Sequence, residues 1–265
     1  MKLQVLALAA ILLCACSSIQ KGGTTQGDLQ NAKQYGYQPL DPLPIQINIP
    51  SQLTEAQKKT ALLDAMPDET IRIAIRDLSQ SVGLTYAPAA MGEEGRDYVV
   101  VLDYVKFGTD SVPVIITDNV ASGERTLLVA PVQSASSNGI IPVYIGVGLR
   151  LTANIHVLKG SVNLGSLFAL GAAASAGDIS GSLVIQTLGI SGREISGLIP
   201  MPSEISESSI QNAIVALATI KSKIYDDKTV ITPRVVGVYN SVGGGSKSIN
   251  GVISHILTSP SKFPK

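Results

Sequence analysis

Residues 143–157 read Val-Tyr-Ile-Gly-Val-Gly-Leu-Arg-Leu-Thr-Ala-Asn-Ile-His-Val. Val143, Ile145, Val147, Leu149, Leu151, Ala153, Ile155 and Val157 are apolar, while Tyr144, Gly146, Gly148, Arg150, Thr152, Asn154 and His156 alternate with them. A strand is the backbone that turns a period of two into one apolar and one polar face. Ordinary strands run about 5–6 residues. Fifteen alternating residues therefore predict either an unusually long strand or one bent at Gly146 and Gly148.

On the N-terminal side, Tyr98 to Val105 is apolar on both faces and predicts a central strand. Val112–Thr117 and Thr126–Val132 are shorter strand candidates, separated by turn signals at Gly108, Asp118-Asn119 and Ser122-Gly123. Residues 54–65 predict a short helix capped by Thr54. A second helix is expected from Pro67 to Gly83, because Ile71, Ala74, Ile75, Leu78 and Val82 recur at spacings of three and four. Arg72, Arg76 and Asp77 fall outside that stripe and read as solvated surface.

On the C-terminal side, residues 164–176 are apolar, small and uncharged, too short to span a bilayer as a helix, and readable as helix or loop. Leu183–Ile190 reads as a strand returning beside 143–157. Ser206 to Tyr225 predicts a helix with Ile210, Ile214, Leu217, Ile220 and Ile224 along one side, Ser206 as cap and Lys221 and Lys223 at its negative end. A strand over Thr229–Tyr239, interrupted at Pro233, precedes a Gly-rich loop at 243–246 and a short apolar segment ending at Leu257. These elements together predict an α+β fold: a largely antiparallel sheet with two or three amphipathic helices packed on one face.

The N-terminus carries a different kind of information. Met1-Lys2 is followed by an apolar run from Leu3 to Leu13, broken only by Gln4, and then Cys14-Ala15-Cys16-Ser17-Ser18. A basic residue, a short apolar run and a small residue before the cut predict a signal peptide. Leu13-Cys14-Ala15-Cys16 resembles the lipobox of bacterial lipoproteins. The resemblance implies cleavage after Ala15 and acylation of Cys16, with several acyl chains at one residue giving a stable anchor. Ser17, in the sorting position where an Asp is associated with inner-membrane retention, implies the outer membrane. The expected organisation is a signal peptide over 1–15, a lipidated flexible tether over 16–44, one domain over 45–258 and a polar tail over 259–265. Within the tether, the Tyr35-Gly36-Tyr37 segment reads either as docked on the body or as solvated.

Composition limits the chemistry. The chain has 20 Lys+Arg against 20 Asp+Glu and no basic cluster, which argues against a nucleic-acid partner. Both cysteines lie at or before Cys16, so no free thiol remains for a disulfide, a thiolate metal site or a nucleophile. His156 and His255 are far apart without metal-ligand spacing, and His156 reads as a surface histidine. Gly189-Ile190-Ser191-Gly192-Arg193 misses the hydrolase turn by one place, and Gly243-Gly244-Gly245-Ser246-Lys247-Ser248 lacks the Gly that a phosphate loop needs before its Lys. Ser18-x-x-Lys21 and Ser259-x-x-Lys262 fall in the tether and the tail, and Glu93-Glu94 and Asp226-Asp227 read as solvated turns. No catalytic residue, metal ligand or cofactor is assigned.

The function this implies is a noncatalytic binding or assembly role at the outer membrane. The membrane would be held through the acyl chains, and the partner would be another envelope protein or a surface polymer. One alternative is a secretion-pore subunit, since the chain resembles curli-type secretion lipoproteins in length, acylated start and mixed helix and strand content. That reading has residues 143–190 supply a hairpin to a barrel shared between copies, with Val143, Ile145, Val147, Leu149, Leu151, Ile155 and Val157 facing lipid. Scarce aromatics, three Phe, eight Tyr and no Trp, weigh against a self-contained barrel. A lesser alternative is an envelope hydrolase.

Overall fold

Two strands far longer than usual form the spine of the molecule. The structure, a computed structural model, describes residues 36–78, 91–119, 124–130, 137–240 and 246–265; the predicted signal peptide, Cys16, Ser17 and the three glycines of the 243–246 loop lie outside them. In chain order the elements are β1 (Gly36–Leu43), β2 (Gln46–Ile47), α1 (Glu55–Asp64), β3 (Asp68–Asp77), β4 (Met91–Glu93), β5 (Asp97–Asn119), β6 (Glu124–Val129) and β7 (Gly139–Val157). There follow β8 (Ser161–Asn163), α2 (Leu167–Ala176), β9 (Ile179–Leu188), β10 (Ile190–Ser191), α3 (Arg193–Ser196), β11 (Ser203–Glu204) and α4 (Glu207–Lys223). The chain ends in β12 (Val230–Ile231), β13 (Arg234–Asn240), α5 (Ser246–Thr258) and β14 (Lys262–Phe263).

The fold is α+β, with an antiparallel eight-stranded sheet at its centre in which the main path runs β1-β13-β7-β5-β3. β5 and β7 pair from Asp97–His156 to Val114–Gly139. The other edge of β7 is divided. β13 pairs with Val143 to Gly146, and β9 takes over from Gly148 to Val157. The two glycines sit at this handover because a Cβ at Gly148 would lie 1.9 Å from the Tyr104 carbonyl oxygen and one at Gly146 would lie 2.4 Å from that of Lys106. The predicted strand is thus long and also changes neighbours at those glycines.

The apolar face of β7 is the core. From Val143 to Val157 none of its odd-numbered residues is more than 2% exposed, and they share one cluster with Ile210, Ala213, Ala216, Ile220 and Ile224 of the α4 region and with Leu170 of α2. The helices are set by their caps. Thr54 and Ser206 each accept from the backbone N–H three residues on, completing capping boxes with Gln57 and Ser209, and Ser166 caps α2 by accepting from the Ala169 N–H alone. Residues 167–176, readable either way in sequence, are therefore helix.

Four expectations are corrected. Residues 68–77 form strand β3 in register with β5 from Asp68–Phe107 to Asp77–Tyr98. The run Thr70-Ile71-Arg72-Ile73-Ala74-Ile75-Arg76 alternates as well as it steps by three and four, and β-branched residues beside a long unpaired edge resolve that ambiguity as strand. Gly108 is no turn, since β5 runs through it, and the glycine is required there because a Cβ would lie 2.6 Å from the Ala65 carbonyl oxygen. Residues 36–43, expected in the tether, belong to the body, because they pair with β13 and Tyr37 is buried. The polar tail belongs to the body, with Lys262–Phe263 pairing in parallel with Gln46–Ile47 and Phe263 buried.

Candidate functional site

The face of β7 that the sequence marks as polar is enclosed over its first half. Arg150 stands directly across from Asp103 on β5, and Asp103 directly across from Arg72 on β3. One row therefore carries two guanidinium groups with a carboxylate between them. Asp103 is fully buried and Arg150 nearly so. Arg150 Nε donates to Asp103 Oδ1 at 2.7 Å and Nη2 to Oδ2 at 2.6 Å, a bidentate pair. The same guanidinium donates to the Leu40 carbonyl at 2.6 Å and the Val236 carbonyl at 2.9 Å, tying β1 and β13 to the centre of the sheet.

Tyr37 closes this chamber from β1, its hydroxyl donating to Asp103 Oδ2 at 2.5 Å. Burial, and then the Asp103 charge and hydrogen bond, push its phenol well above the usual tyrosine value, outweighing the nearby Arg150 and Arg72. It is a fixed donor, not a base. Arg150 stays charged, because its Asp103 bonds and charge more than offset the burial that works against it. Around these groups a second, smaller apolar cluster joins Tyr37, Ala74, Val101, Val105, Phe107, Tyr144, Leu188 and Val236, all of them strand residues.

Arg72 is held differently. Its guanidinium carbon lies 4.0 Å from the Tyr144 ring centroid and 5.2 Å from those of Tyr37 and Phe107. The rings brace one another, Phe107 edge-on to Tyr144 at 5.1 Å and Tyr37 tilted against Tyr144 at 5.8 Å. The expected solvated arginine is half-buried in an aromatic cage. Asp77, expected alongside it as surface, is also half-buried and pairs with Arg96 at 3.2 Å.

Beyond the chamber the same face is open. Asp97, His156 and Ser180 are cross-strand neighbours on β5, β7 and β9, and Asp97 Oδ1 lies 2.8 Å from His156 Nδ1. Among the described residues no hydrogen bond joins His156 to Ser180, and both members of the His–Asp pair are well exposed. Such a row lacks the enclosed, pre-aligned nucleophile that acyl transfer uses. Among the described residues no group of three or more His, Cys, Asp or Glu could hold a metal ion. Two clefts flank the helices. One of about 600 Å³ lies between β9, Met201 and the start of α4, and one of about 540 Å³ lies between Ile47, α1 and residues 227–232.

Of the residues singled out in sequence, Val143, Ile145, Val147, Leu149, Leu151, Ile155 and Val157 come together, inside the helix-covered core. To face lipid they would have to leave it. β9 does return beside β7, with Gly148 opposite Leu188 and Val157 opposite Ile179. His156 is at the surface, Glu93 pairs with Arg96 at 2.9 Å, Glu94 accepts from the Gly160 N–H at 2.8 Å, and Asp226 pairs with Lys223 at 2.9 Å. The sequence reading assigns no functional role to the chamber residues Tyr37, Arg72, Asp103 and Arg150. Their signal is nevertheless present: Arg150 is the one Asp, Glu, Lys or Arg of β7, Asp103 is the one charge in the apolar run Tyr98–Val105 of β5, and pairing those strands brings them opposite one another.

Compared with known protein families, with curated proteins and with solved structures, the chain finds no match.

Proposed function

We propose that the protein is a lipoprotein anchored through Cys16 to the outer membrane, with a noncatalytic binding or assembly role in the cell envelope. The observation that carries this reading is the Leu13-Cys14-Ala15-Cys16 segment behind its short apolar run. The character of the body supports it. About twenty residues separate Cys16 from β1, and β1 is clamped to the body by Tyr37 and by the Arg150 bond to the Leu40 carbonyl. A tethered protein needs its attachment strand fixed in this way. The groups gathered behind β1 hold charge in place, and the Tyr37 phenol is kept protonated.

The test is to express the full chain and a Cys16→Ala variant and to follow acyl labelling and membrane fractionation. Wild type should take up label and sediment with outer membranes, and the variant should do neither. A variant that still sediments there after a high-salt wash sinks the anchoring claim. Rings in negative-stain images of the detergent-extracted protein would replace the binding role with a pore.

A further inference from the structure

The row Arg72, Asp103, Arg150 is unbalanced. Asp103 has an arginine across from it on each side, and both of its oxygens are taken, by Arg150 and by Tyr37. Arg72 is left over. Among the described residues its side chain makes no hydrogen bond or ion pair, and the charged contacts it does make are with the three rings of its cage. Its Nε is enclosed without any hydrogen-bond partner, the one such buried side-chain atom among the described residues. Removing a charge from water without a counter-charge is costly, and cation–π contacts recover only part of that cost, about 0.5–2 kcal/mol.

The cage also determines which part of Arg72 is left for a partner. Three ring centroids lie 4.0–5.2 Å from the guanidinium carbon and Nε is shut in, so of its nitrogens only the Nη pair is left for a partner. A planar fork of N–H donors matches two oxygens of one carboxylate or phosphate and matches a monatomic anion poorly. The cage holds the side chain rigid, so little conformational freedom remains to be lost on binding.

We infer that Arg72, in its cage of Tyr37, Phe107 and Tyr144, is a binding site for an oxyanion group, a carboxylate or a phosphate, which supplies the negative charge that the Arg72–Asp103–Arg150 row lacks. The site does not depend on acylation of Cys16, so it stands or falls separately from the anchoring reading. Because β1 contributes Tyr37 both to the cage and to Asp103, an occupied site also reinforces the strand through which the body is attached.

The experiment is calorimetric titration of the mature protein with sodium phosphate and, separately, sodium acetate, with ionic strength held constant by sodium chloride. One ion should bind per chain, and the midpoint of thermal unfolding should rise with it. Arg72→Met, which keeps the stem inside the cage and removes the charge, should abolish both effects. Arg72→Lys should weaken binding by about tenfold or more, because the fork is lost. Binding of acetate as well as phosphate identifies a site read by any oxyanion, and binding of one alone names the source. Arg193→Met, at an exposed position, should change nothing. Should Arg72→Met fail to fold, the Nε–H resonance of Arg72 in the wild type is the second readout, and it should move on phosphate titration. A folded wild type that binds neither ion, an unchanged isotherm in Arg72→Met, or resonance shifts confined to surface lysines would overturn the assignment.

Discussion

On one face of β7, Leu149 and Leu151 lie in the apolar core that α4 completes; on the other, Arg150 between them is almost as deeply enclosed, among charges, a phenol and aromatic rings. The same stretch of backbone has thus produced two interiors. The first is held by area removed from water and is indifferent to direction. The second is held by a few bonds of fixed geometry, each of which leaves a costly remainder if one partner is removed. The helix side should accordingly tolerate volume-conserving changes, and the chamber should not.

The largest effect that would test this difference is at Asp103. Asp103→Leu leaves two enclosed arginines without their carboxylate and should cost about 3–5 kcal/mol in urea unfolding. Arg150→Met should cost less, since Arg72 already stands across from Asp103 on the other side, and equal losses for the two would break the picture of a surplus arginine. On the apolar side, Leu149→Ala should cost about 2–5 kcal/mol and Leu149→Met under about 1.5. Tyr37→Phe removes one hydrogen bond to a charged acceptor and should cost about 1.5–3 kcal/mol, with β1 amides losing hydrogen-exchange protection ahead of those of β9.

The smallest effect lies at the edge between helix and sheet. A hydrogen bond from Lys221 holds the Glu69 carboxyl below the usual glutamate value, against a smaller opposing effect of burial, and the Tyr104 hydroxyl adds a second bond at 2.8 Å. A carboxyl depressed in the folded state stabilises above its unfolded value, about 4.3, and that contribution is lost as pH falls through the lower folded value. With Lys221 largely exposed it should amount to less than about 1 kcal/mol. Glu69→Gln should flatten the acid limb of stability against pH by that amount, and an unchanged limb would remove Glu69 from the account.

The same contrast explains what could be read from sequence. The helix-side interior was legible because it is written in periodicity: the odd positions from 143 to 157 and the Ile face of 206–225 each declare a buried side. The chamber was not, because Arg150 and Tyr144 occupy positions that alternation marks as outward, and they become interior only when β1 and β3 close over them. Residues 68–77 read as helix for a related reason. Ile71, Ala74, Ile75 and Leu78 fit a helical stripe, and what settles them as strand is the ten-residue ladder with β5, a long-range partner that a local pattern does not contain. The prolines and polar residues of 36–43 likewise resemble linker, and only Tyr37, fitted against Gly237 and Asp103, shows why that stretch is held.

The position of Tyr37 has a mechanical consequence. A pull on the chain N-terminal to Gly36 meets the Gly36–Asn240 pairing first and Tyr37 immediately after it. The chamber therefore acts as a cleat one residue inside the point where load enters. Tension must drag a phenol out of its bond to Asp103, and away from Tyr144 and Arg72, before the rungs from Gln38 onward carry force. In a pulling experiment the largest force peak should be the release of Tyr37, following the Gly36 pairing, and the rest of the strand should then unzip at lower force.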